Sequence, residues 1–140
     1  MANTISIAST RAKATLHLGR YKTVLAVVII VETVIAILLL INPELLHAGG
    51  DLQTGATSNW IRATAANVLF LSALQYSAYL RPIEQRLLNV IVILGRIALA
   101  FFYFFLDWQF IWIAVFETIA AASLYFTYRA AIISELQTRP

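Results

Sequence analysis

Four runs of about 20 apolar residues, separated by polar turns, constrain this chain more than any other feature. They lie at about 21–41, 60–80, 87–106 and 110–128. Each is long enough for an α-helix to cross the ~30 Å hydrocarbon layer of a bilayer. Strands of a membrane barrel would instead alternate polar and apolar residues over ~10-residue segments, and these runs do not. A helix satisfies its own backbone hydrogen bonds in lipid, where no water can. Composition agrees: 61% of the 140 residues are hydrophobic and 12% charged, against about 45–50% and about 25% in soluble domains. The expected fold is an all-α membrane protein, a four-transmembrane-helix bundle forming a single domain over residues 1–140.

The connections suit a compact arrangement. "RPIEQ" between the second and third runs is a tight turn, with Pro82 stopping the helix, and "DWQ" between the third and fourth is shorter still, so those two helices must be an antiparallel hairpin. The long connection, "NPELLHAGGDLQTGATSN", is kept from continuing a helix by Pro43 and three glycines. Arg11, Lys13, Arg20, Lys22, Arg81, Arg86, Arg129 and Arg139 all fall on one side of this layout. The other side carries Glu44, Asp51 and Asp107, with Arg62 near its boundary. The positive-inside rule therefore places both termini in the cytoplasm. Trp60, Trp108 and Trp112 sit near the outer boundary, as an aromatic belt would, and "FFYFFLDW" reads as lipid-facing surface. The first run is longer than a signal-peptide core, contains a glutamate and precedes no clear cleavage site, so it is expected to be retained.

Several chemistries are excluded or unsupported. There are no cysteines, so disulfides and thiolate metal sites are absent. A net charge of +3 with no basic stripe among aromatics gives no sign of nucleic-acid binding. His17 and His47 fall on opposite sides of the membrane, His47 with Asp51 is too few ligands for a metal, and "GGDLQTG" lacks the lysine of a phosphate loop. No serine has a histidine or lysine at matching depth to activate it. The reading is a non-enzyme without metal or cofactor, whose surroundings are the bilayer and a membrane-protein partner or further copies of itself.

Against that background three ionisable residues stand out. Glu32, Arg96 and Glu117 lie near the midpoints of the first, third and fourth runs, and so share one depth. Each facing lipid alone would cost about 2.5–3.5 kcal/mol on insertion scales. Turned inward, two carboxylates can flank one guanidinium, which has donors for both. The second run adds Asn67 and Gln75, eight residues apart, and Arg62 nearer the outer surface. The three midplane charges sum to −1, an imbalance that a proton on one glutamate or the help of Arg62 would remove. The expected site is thus a buried polar group of Glu32, Arg96, Glu117, Asn67, Gln75 and Arg62. Two roles are open to it: a structural network fixing helix register, or a site for protons or small molecules.

Two resemblances bear on this choice. A glutamate in the first of four short spans resembles the small multidrug resistance transporters, which implies proton-coupled export through Glu32. The chain departs from that pattern at Arg96, which would neutralise a cation site, and in its one-sided basic bias. "LRPIEQRLLNVIVILGR", a short basic turn leading into a third span with Gly95 and Arg96, is similar to the DoxX/DoxD-like and related small four-span bacterial proteins. That resemblance implies a bacterial inner-membrane protein, accessory to a redox or export system, and carries over no catalytic residue. From the charge asymmetry, reporters fused at residue 1, in the 81–86 turn and at residue 140 are expected to read as cytoplasmic, and one within 47–57 as external. An external signal at residue 140 would mean that the number of spans is wrong.

Overall fold

A computed structural model of the chain describes residues 2–46, 55–106 and 110–138, with side chains described over 9–45, 58–105 and 110–138. The fold is all-α. Helix α1 spans Ala2–Ile41, α2 Gly55–Leu80, α3 Arg86–Leu106 and α4 Ile111–Thr138, with a short 3-10 turn at Pro43–Leu46. Three of the helices, α1, α3 and α4, are long and apolar enough to cross a membrane. α2 is more polar, carrying Arg62, Asn67, Gln75 and several serines and threonines.

The helices outrun the apolar runs. α1 begins about five turns before residue 21, and α4 continues to Thr138 rather than stopping near 128. Hydropathy marks where lipid would be favourable, whereas a helix needs only the absence of breakers. Residues 2–20 contain no proline, and "RAAIISELQT" after Tyr128 is rich in good helix formers. At 40 residues, α1 is about 60 Å long, twice the thickness of the hydrocarbon layer.

Where breakers occur, the helices stop. α1 ends before Pro43; the Asn42 amide N–H still donates to the Leu38 carbonyl at 2.8 Å, and its side-chain oxygen accepts from the Glu44 N–H at 3.2 Å. α2 ends before Pro82, which disfavours helical geometry in the residue preceding it. The turn 81–85 is then pinned from α3: the Asn89 side-chain amide donates to the carbonyls of Pro82 at 3.0 Å and Gln85 at 2.9 Å, and Arg86 Nε donates to the Ile83 carbonyl at 3.2 Å. The "DWQ" turn, with Asp107 and Trp108, lies outside the described residues, as do His47, Asp51, most of "GGDLQTG" and Arg139.

α1 packs along both α2 and α4, and α3 packs along α4, while α2 and α3 touch only lightly. α1 and α3 are diagonal, with no close backbone approach among the described residues. The inward stripe of each helix follows helical periodicity: Tyr21, Leu25, Val28 and Ala36 on α1; Asn89, Ile93, Arg96 and Ala100 on α3; Ala114, Glu117, Ala121, Leu124 and Tyr128 on α4. Many of these residues are alanines, which let helix backbones approach closely where no hydrophobic effect drives them together.

At the basic end the core consists of Tyr21, Leu25, Ala78, Ile93, Leu124, Tyr128 and Ala131. Here the Tyr21 hydroxyl donates to the Asn89 side-chain oxygen, joining the diagonal helices, and the Tyr21 and Tyr128 rings lie 5.1 Å apart. Asn89 is fully buried and uses both ends of its amide. Asn89→Leu should therefore cost about 1–3 kcal/mol by stranding the Tyr21 hydroxyl and the Pro82 carbonyl, and Tyr21→Phe about 0.5–1.5 kcal/mol. Thermal unfolding in detergent reads both. An Asn89→Leu variant that melts with the parent would show that this link carries no weight.

Candidate functional site

The inward stripes place four polar side chains, one from each helix, at the same level. Arg96 comes from α3, Glu117 from α4, Glu32 from α1 and Gln75 from α2. The Arg96 guanidinium is the hub: its Nη1 lies 2.6 Å from Glu32 Oε1 and 3.0 Å from Glu117 Oε2, and its Nη2 donates to Gln75 Oε1 at 3.0 Å. Gln75 Nε2 in turn donates to Glu32 Oε2 at 3.2 Å. Arg96, Glu32 and Gln75 thus form a closed ring of three contacts, with Glu117 attached at the shared Nη1. Only one orientation of the Gln75 amide serves this ring, because its donor must face the carboxylate and its acceptor the guanidinium. The Arg96 side chain is 3% exposed, Glu117 9% and Glu32 12%.

This arrangement differs from the sequence expectation at two positions. Asn67 and Arg62 are exposed on the outer surface of α2 and are not part of the network. The reason is rotational: at about 100° per residue, eight residues turn Asn67 about 80° away from Gln75, and thirteen turn Arg62 about 140° away. Of these three α2 residues, Gln75 alone faces inward. Trp60 and Trp112 are also exposed, and Trp108 lies outside the described residues. Among the described residues, no group of three or more His, Cys, Asp or Glu side chains could hold a metal ion.

The interval of seven that puts Asn89 on the Arg96 stripe is legible in the sequence, whereas sequence reasoning passed over Tyr21 and Tyr128, which join Asn89 in a neighbouring layer, although a signal for them exists. Tyr21 lies eleven residues before Glu32 on α1, Tyr128 eleven after Glu117 on α4, and Asn89 seven before Arg96 on α3. Both spacings return to nearly the same helix face. The polar layer at mid-depth therefore has a second one below it, and Leu25, Ile93 and Leu124 fill the space between them.

The outer surface of the described residues includes two grooves. One, of about 660 Å³ between α3 and α4, is walled by exposed phenylalanines including Phe101, Phe104 and Phe105. The other, of about 950 Å³, runs beside α1 from Ala12 to Val24 and touches Thr127 on α4. Neither is lined by Glu32, Gln75, Arg96 or Glu117. No family model matches the chain, and neither a curated protein nor a solved structure matches it.

Chemically, the site is a paired set of charges held away from water. Removing one member strands the others, whereas replacing a whole buried set with apolar groups is often neutral or stabilising. Arg96→Leu, which leaves two carboxylates facing each other, should cost about 3–5 kcal/mol. The triple change Glu32→Met, Arg96→Leu and Glu117→Met should recover most of that loss. Thermal unfolding of both variants in detergent is the measurement, and an Arg96→Leu protein as stable as the parent would contradict the network.

Proposed function

We propose that this chain is a non-catalytic integral membrane protein, an accessory or assembly component in which the buried network fixes helix partners and register. In this reading all four helices cross a bacterial inner membrane as one bundle with both termini cytoplasmic. The observation that carries the reading is the closure of the network. Each carboxylate is paired with the same guanidinium and Gln75 closes the ring, so that Nε is the one nitrogen of the buried guanidinium left without a partner among the described residues. A transport site would need a path for water or substrate to a carboxylate. The exposed aromatic wall of α3 is the candidate surface for a membrane partner in this reading.

A second reading, proton-coupled or small-molecule transport, draws on one detail: Glu32 keeps more exposure, 12%, than its two charged partners. The two separate by function. Reconstituted into liposomes, the parent should give no pH-gradient-driven flux above that of empty vesicles. Its set of co-purifying membrane proteins should be unchanged by Glu32→Gln. Flux in the parent that disappears in Glu32→Gln, with the fold intact by circular dichroism, would overturn the accessory reading in favour of transport.

A further inference from the structure

The groove beside α1 has the location and chemistry of a lipid site. Glu32 sits at the centre of the apolar stretch of α1, and Arg20 lies about 18 Å from it along the helix axis. Half the hydrocarbon layer is about 15 Å, so Arg20 is level with the phosphates of the leaflet at the basic end. Val24, lower in the same groove, lies within the hydrocarbon, and Leu16 lies above Arg20. The groove, shallow and largely open, therefore crosses the boundary between acyl chains and headgroups.

Its polar inventory is narrow. Thr15, Thr23 and Thr127 line it, but each spends its hydroxyl proton on a carbonyl of its own helix, at 3.0 Å to Arg11, 3.1 Å to Gly19 and 2.6 Å to Ser123. What remains is one strong donor, the exposed Arg20 guanidinium, against a floor opened by Gly19. A Cβ built at Gly19 meets nothing within 4 Å, so the space over it is open rather than packed. A planar guanidinium at phosphate level is suited to bidentate capture of a phosphodiester. Other cations at this end, Arg11, Lys13 and Arg129, are exposed and add to the attraction for negative charge.

We infer that the α1 groove formed by Leu16, Gly19, Arg20 and Val24 binds an anionic phospholipid, its phosphate on Arg20 and an acyl chain along Val24. The site is independent of the role proposed for the midplane network. Arg129 supplies an internal control, since it lies about 18 Å from Glu117 along α4, at the same depth as Arg20, but outside the groove.

The test is native mass spectrometry of the full chain released from nanodiscs of equal phosphatidylglycerol and phosphatidylcholine. The parent should retain phosphatidylglycerol in preference to phosphatidylcholine. Arg20→Gln should retain about five-fold less, as expected for one basic group near a charged surface, and Arg129→Gln should match the parent. Gly19→Leu, which fills the groove while leaving Arg20, should lose the lipid yet melt with the parent in lipid-free detergent. Equal losses in Arg20→Gln and Arg129→Gln would reduce the effect to diffuse surface charge and overturn the site. So would retention of lipid by Gly19→Leu, equal retention of phosphatidylcholine, or displacement of the lipid by inorganic phosphate alone.

Discussion

A single guanidinium organises the interior. Arg96 holds a carboxylate from α1, a carboxylate from α4 and an amide from α2, so one side chain on α3 is tied to every other helix. In water each of these contacts would compete with solvent and contribute little. At mid-depth in an apolar environment the alternative is an unpaired charge in hydrocarbon, which costs several kcal/mol. The network does not need to be strongly stabilising relative to an apolar core to select one arrangement of helices. It needs only to make arrangements that leave Arg96, Glu32 or Glu117 unpaired much worse.

That selection matters most where backbone packing is weakest. Among the described residues α1 and α3 sit diagonally without close backbone approach, and α2 meets α3 only lightly. Both gaps are spanned by long polar side chains: Arg96 to Glu32 and Tyr21 to Asn89 across the diagonal, and Arg96 to Gln75 across the α2–α3 seam. The well-packed junctions add alanines, including Ala36, Ala65, Ala114 and Ala121, which allow close backbone approach beside the Arg96–Glu117 and Gln75–Glu32 contacts. The interior is thus layered, with charges at mid-depth, then Leu25, Ile93 and Leu124, then the Tyr21–Asn89–Tyr128 layer by the pinned 81–85 turn. The apolar layer separates the charged ring from the basic end.

Much of this was legible in the chain, and the failures are as instructive. The depth of Glu32, Arg96 and Glu117 follows from counting residues along apolar runs, because helical rise is fixed at 1.5 Å per residue. Rotation is less forgiving. Asn67 looks equivalent to Gln75 because eight residues is close to two turns, but the remainder of about 80° is enough to carry it from interior to surface. Arg62 is turned further still. The lengths of α1 and α4 were also hidden, since nothing in hydropathy reports a helix that continues past the apolar stretch.

The sequence by itself determined that this protein is helical and suited to a membrane, where proline stops α1 and α2, and which charged residues share a level. These are consequences of composition, of proline, and of a constant rise per residue, all of them local. Only the tertiary structure decided which neighbours each helix takes, that Gln75 rather than Asn67 or Arg62 completes the ring, and that Tyr21 and Asn89 form a second link across the diagonal. Those choices depend on the rotation of each helix about its axis. Rotation is set by which faces can pack and pair at once across four helices, and no single segment carries that information.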